Sequence, residues 1–145
     1  MNLNEQLKRA IEIAVETHSG QVDRNGQPYL GHVFRVMNAG QTLQEKIVGA
    51  LHDVIEDSDL TLEDLKTEGF PNEIIDAVYA MTHDVATETY SEYLERVLKN
   101  HIAIRVKLND LTDNMDLRRY DALNEEIINR MKKYLDAYQW LISNL

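Results

Sequence analysis

Cysteine is absent from this 145-residue chain, and proline and glycine are sparse, at two and six residues. Without cysteine there is no disulfide framework, no thiolate metal site and no cysteine nucleophile. Any metal would have to rest on His, Asp, Glu or backbone oxygens. Long apolar runs are missing too: no stretch approaches the roughly 20 residues of a membrane span. The opening MNLNEQLKRAIEIAV has no apolar segment behind a basic one, as an export signal would. A soluble, cytoplasmic protein is therefore expected. Positive charge is the other scarcity: 15 basic residues stand against 25 acidic ones, for a formal net charge of −10. That balance opposes binding to a phosphate backbone or an anionic membrane surface, so neither nucleic acid nor membrane is an expected partner. A small anionic substrate remains admissible if a cation reverses the field locally.

The length suits one domain, residues 1–145, with no linker, repeat or low-complexity run. Apolar residues recur at helical spacing, as in Leu7, Ala10, Ile11 and Ala14, or Ile127, Met131, Leu135 and Tyr138. The pattern predicts helices near 3–17, 32–40, 44–56, 61–67, 71–82, 88–99, 102–117 and 124–143, and no strand. Gly20 to Gly31 reads as a polar loop, and Thr61 with Asp64 as an N-cap. The fold class expected is all-α, a single-domain helical bundle. The aromatic tail YLDAYQWLISNL reads as core or as a self-association face, leaving a homo-oligomer open.

GALHDVIED, residues 49–57, interrupts an otherwise apolar helix with His52, Asp53, Glu56 and Asp57. At about 100° per residue these four fall within roughly 140° of one another, while Ile47, Leu51, Val54 and Ile55 take the opposite arc. Gly49 falls inside the polar sector and is expected to leave space there. A solvated face usually mixes acids and bases with i,i+4 partners, whereas this one gathers carboxylates and an imidazole with no base. Mutual repulsion among them calls for a nearby positive charge, and a divalent metal would serve. From this helix alone, solvated face and metal site both remain open.

Completing such a site needs ligands from elsewhere. His32 follows the loop RNGQPYLGH, and Asp110 in VKLNDLTDNM shares a helix face with Lys107 and Asn114. His18, His83 and His101 read as capping, packing or solvated residues, and Tyr29 as packing the loop or stacking on a base. Arg24, Arg105 and Lys107 are the nearest positive charges for a phosphate.

The order His32, His52-Asp53, Glu56-Asp57, Asp110, Asn114 resembles the metal constellation of the HD-domain phosphohydrolases. HSGQVDRNGQPYLGH, ALHDVIEDSDLTLEDL and VKLNDLTDNM are similar to stretches of the RelA/SpoT hydrolase domain and of the stand-alone small alarmone hydrolases. This resemblance covers about residues 10–120. It implies an HD-type bundle in which His32, His52, Asp53 and Asp110 hold one divalent ion, Mn²⁺ in those enzymes. Glu56 and Asp57 would handle the attacking water, with Arg24, Lys107 and Asn114 on the substrate side. The implied reaction removes the 3′-pyrophosphate of (p)ppGpp, a small anionic nucleotide. Another nucleotide or a phosphorylated dinucleotide is the alternative substrate, and a non-catalytic nucleotide-sensing module the alternative class. The chain departs from the alarmone pattern at Asp23, which displaces an arginine to Arg24, and at Leu111 and Asp113; these departures are expected to bear on substrate choice. The family's VTKL segment after the fifth helix is replaced by MTHDVATETY, and its basic Asn-x-Arg-Lys stretch before the last ligand by YLERVLKN.

Overall fold

The computed structural model describes residues 1–145 and is all helical, apart from one isolated bridge between Val22 and Pro28 in the loop after the first helix. Nine α-helices follow one another: α1 Leu3–His18, α2 Tyr29–Ala39, α3 Leu43–Leu51, α4 Val54–Asp57, α5 Leu62–Glu68, α6 Asn72–Met81, α7 Tyr90–Leu98, α8 Ala103–Asn114 and α9 Glu125–Ser143. A 3-10 turn, Leu117–Arg119, leads from α8 towards α9.

Local chemistry sets most of these boundaries. Side chains of Asn2, Thr42 and Asn124 accept amide hydrogens in the first turns of α1, α3 and α9. Thr61 with Asp64, and Thr89 with Glu92, form reciprocal capping boxes on α5 and α7. The end of α5 is set by Gly69, whose φ of 106° is open to glycine and strained for other residues. Two expected boundaries are corrected. Helix α2 begins at Tyr29 because Pro28 precedes it with a fixed φ and no amide to satisfy, so His32 sits one turn inside. The helix expected over 102–117 stops at Asn114.

The single helix expected over 44–56 is also broken, at His52-Asp53. The His52 ring donates from Nδ1 to the Gly49 carbonyl at 2.6 Å. It thereby offers a side-chain donor to the oxygen that the Asp53 amide would meet in a continuous helix. Asp53 adopts φ −107°, ψ 1°, the bridge region, and the chain restarts as α4. The helical-wheel arc across 52–57 therefore does not describe the site. After the turn Glu56 still shares a cavity with His52 and Asp53, while Asp57 faces another space.

Helix α3 is the centre of the bundle, packed against α1, α2, α6 and α8 with Ile47, Val48 and Leu51 fully buried. A Cβ placed on Gly49 would lie 2.9 Å from the Met37 Cα. The missing side chain thus admits the backbone of α2 and leaves no room in the polar sector, contrary to the expectation above. That close approach brings His32 on α2 beside His52, with ring centroids 5.5 Å apart. Helix α8 crosses both α2 and α3 and delivers Asp110, while α9 lies over α8 and α7 with Ala137 and Leu141 buried.

Candidate metal centre and substrate clefts

Four side chains from three segments converge. Nε2 of His52 lies 3.0 Å from Asp53 Oδ2 and 3.5 Å from Asp110 Oδ1, and Nε2 of His32 lies 3.0 Å from Asp110 Oδ1. Ligand atoms of His32, His52 and Asp53 all fall within 4.8 Å of one another. About 3 Å is the spacing of neighbouring donors around an ion bonded at about 2.1 Å. The ligand set expected from the sequence is thus brought together in full.

Hydrogen bonding fixes which ring nitrogens face inward. His52 Nδ1 is held by the Gly49 carbonyl, and His32 Nδ1 by Asp113 Oδ2 at 2.7 Å. Both partners only accept, so each neutral ring keeps its Nε2 lone pair turned towards the carboxylates. The buried Nε2 of His52 has no hydrogen-bond partner despite two carboxylate oxygens close by. Two lone pairs and two carboxylates with no donor between them require a cation. Imidazole nitrogens and carboxylate oxygens fit a divalent ion of intermediate hardness.

A proton meets part of that need in the metal-free protein. Burial disfavours the imidazolium, yet Asp53 and Asp110 hold His52 well above the usual histidine range, and Asp110 and Asp113 hold His32 above it. Burial would likewise raise Asp53, but the facing His52 outweighs it and brings the carboxyl to about 2. Asp110 is kept well below the carboxylate range by Lys107, whose Nζ donates at 2.9 Å. Lys107 is therefore committed to a ligand of the cluster, although it lines the cavity beside it. Asn114 also donates to Asp110, at 3.3 Å, and the Tyr29 hydroxyl donates to Asp53. The reading of Tyr29 as a loop-packing or base-stacking residue did not anticipate this bond.

Glu56 and Asp57, adjacent in sequence, face different spaces. Glu56 lines a cavity of about 160 Å³ with His52, Asp53, His83, Lys107 and Asp110. Asp57 lines a cleft of about 330 Å³ with Arg24, Tyr29, Asn114, Arg130 and Tyr134. Loss of water around the Glu56 carboxyl pushes it up to about 7, against the opposing hydrogen bond from the His83 amide. Asp57 is raised by the same desolvation, partly offset by the bond from Gln21 at 3.1 Å. His18 stands behind this pair, bonded to Gln21 at 2.8 Å.

Of the departures at Asp23, Leu111 and Asp113, only Asp23 lines the larger cleft, beside Arg24. Leu111 is fully buried core. Asp113 sits behind His32 and receives Arg35 Nε at 2.7 Å and Arg119 Nη1 at 2.9 Å. Arg119 also reaches Asp23 at 3.1 Å, while the other Asp23 oxygen accepts the Asn25 and Gln27 amides of the entry loop. Asp23, Arg35, Asp113 and Arg119 thus form one network behind His32. Arg105 lines a separate hollow between α8 and α9 and takes no part in the site; His101 is exposed, 3.6 Å from Glu73.

An all-α bundle with a His, His-Asp, Asp cluster at the junction of α2, α3 and α8 is an HD-type domain, the class that fold and site together define. The chain resembles, within that class, the domains of the alarmone-metabolising enzymes. It is 31% identical over 122 residues to a guanosine-3′,5′-bis(diphosphate) 3′-pyrophosphohydrolase of Aquifex aeolicus, a match covering 77% of this chain and 17% of the relative. A protein of the same name from Vibrio cholerae is 30% identical, across 97% of this chain and 22% of the relative. A GTP pyrophosphokinase of Myxococcus xanthus is 30% identical, across 96% and 20%. The chain spans about a fifth of the length of these relatives. A solved structure, described as a metazoan ortholog of SpoT that hydrolyzes ppGpp, superposes with a TM-score of 0.76 at 24% identity, covering 96% of this chain and 84% of that one. No family model matches.

Proposed function

We propose that the protein is a metal-dependent phosphohydrolase that removes the 3′-pyrophosphate of (p)ppGpp, giving GDP or GTP and pyrophosphate. The observation carrying this reading is that the four-residue cluster borders a small cavity through His52, Asp53 and Asp110, and is hydrogen-bonded to Tyr29 and Asn114, which line a larger cleft. In this reading the nucleoside would occupy the 330 Å³ cleft, which Arg24 and Asn114 line. The 160 Å³ cavity, about half the volume of the cleft and walled by polar side chains, suits the phosphoryl groups. A 3′-diphosphate ester of a nucleotide has that outline. The names carried by the relatives from Aquifex aeolicus and Vibrio cholerae agree with it.

In the proposed reaction water adds to the 3′-phosphorus, the bond to the ribose 3′ oxygen breaks, and that oxygen takes a proton as pyrophosphate leaves. A divalent ion on His32, His52, Asp53 and Asp110, Mn²⁺ in our reading, would polarise the phosphoryl oxygen and make the water more acidic. Glu56, with its proton affinity near neutrality, is suited to taking the water's proton. Asp57, held by Gln21, orients the water from the nucleoside side. Lys107 and Tyr29 keep the two carboxylate ligands in register.

The test is a substrate panel: Mn²⁺-loaded protein with (p)ppGpp, ordinary nucleoside di- and triphosphates and phosphorylated dinucleotides, with pyrophosphate and phosphate followed separately. Pyrophosphate from (p)ppGpp alone is expected. Phosphate from another compound would move the substrate assignment, and binding without turnover would favour a sensing module.

A further inference from the structure

We propose that Lys133, with His83, forms the subsite for the terminal phosphate of the 3′-pyrophosphoryl group, so that a cation from α9 selects a diphosphate over a monophosphate ester. This rests on the function proposed above. A pyrophosphoryl ester brings more negative charge than the cluster can offset, because Asp53 and Asp110 already oppose a divalent ion and Lys107 is engaged by Asp110. The terminal phosphate therefore needs a further cation. The loop Thr82–Thr89 on the far wall of the cavity contains no Lys or Arg. Arg96, which reaches that loop, is consumed in holding Glu88 and the Thr82 carbonyl.

Lys133 fills this place from another element. It lines the 160 Å³ cavity with Glu56, Asp110 and Tyr90, and its Nζ rests over the Tyr90 ring, 4.2 Å from the centroid. That contact aims the ammonium without neutralising it. His83 provides a second, independent sign of a ligand. Its Nε2 is buried in the cavity wall with no hydrogen-bond partner, and its ring is fixed by stacking on Tyr93 at 4.7 Å. A phosphate oxygen would satisfy that atom. A larger hollow of about 670 Å³ between α7 and α9 meets the cavity at Tyr90 and Lys133, giving the leaving pyrophosphate a way out.

The experiment compares wild type, Lys133→Ala and Lys133→Arg in steady-state hydrolysis of ppGpp, with GDP as competing product. Lys133→Ala is expected to raise KM for ppGpp about tenfold, while inhibition by GDP, which lacks the 3′ group, stays unchanged; Lys133→Arg recovers most of the loss. Equal weakening for ppGpp and GDP, or no change in either, would overturn the subsite while leaving the proposed hydrolysis intact. A wild type that does not turn over ppGpp would instead count against the function. The subsite is then read by amine acylation and mass spectrometry on the Mn²⁺-loaded protein. Inorganic pyrophosphate is expected to protect Lys133 where orthophosphate does not, with Lys132 as internal control, and absence of protection overturns the proposal.

Discussion

Asp113 Oδ2 accepts the Nδ1 proton of His32 at 2.7 Å, on the face of the ring opposite Asp110. The bond fixes the tautomer that leaves Nε2 free, and Arg35 and Arg119 hold the carboxylate in place. Removing such a support typically weakens a metal site by about 10–100-fold. Asp113→Ala is therefore expected to lower divalent-ion affinity by about that factor with little change in helix content, measured by competition with a calibrated chelator. Affinity equal to wild type would show that His32 is oriented without it.

The approach of α2 to α3 at Gly49 carries a stability prediction. A methyl group there would sit 2.9 Å from the Met37 Cα and 3.1 Å from its nitrogen, backbone that cannot swing aside. Gly49→Ala should destabilise the fold by about 1–3 kcal/mol through overpacking. Because Gly49 also carries the carbonyl that holds His52, metal affinity should fall with it; urea denaturation and metal titration of the same variant check both.

Lys107 and Asp110 form a buried pair, and such pairs respond asymmetrically to deletion. Lys107→Met leaves Asp110 without its nearest cation and should cost about 3–5 kcal/mol in the metal-free protein. Lys107→Met combined with Asp110→Asn should cost less than the single change, because no uncompensated charge is left behind. Equilibrium unfolding in the presence of chelator distinguishes the two.

Glu56 gives a pH dependence with a definite sign. Its native value near 7 lies above the ordinary 4.5, so the folded state holds the proton more tightly. The stability this contributes is fully present below pH 4.5 and is lost as pH rises to about 7. Relative to Glu56→Gln, the metal-free wild type should therefore lose Tm across pH 4.5 to 7 and run parallel above it. A constant difference across that window would contradict a raised Glu56.

Sequence periodicity was enough for most of the helices, because a 3.6-residue apolar repeat is a local property and the cap at Thr61 is short-range. The four residues of the cluster, His32, His52, Asp53 and Asp110, were legible through their order and the words around them. The break at His52-Asp53 was not, since no proline or glycine marks it. It arises where a side chain donates to the Gly49 carbonyl, a competition invisible in a hydrophobic pattern. Asp113 read as a substrate-side change because its partners His32, Arg35 and Arg119 are neighbours only after α2 and α8 have packed. Lys133 was hidden for the same reason: on its own helix it is one of two exposed lysines, and only the path of α9 over α7 takes it to the cavity.

The most direct test measures bound metal and pyrophosphate release from ppGpp in the same samples of wild type and Asp53→Ala. The account predicts one divalent ion per chain and pyrophosphate as the product in wild type, with metal and turnover both falling by roughly 100-fold or more in the variant. Unaltered metal content and turnover in Asp53→Ala would contradict it.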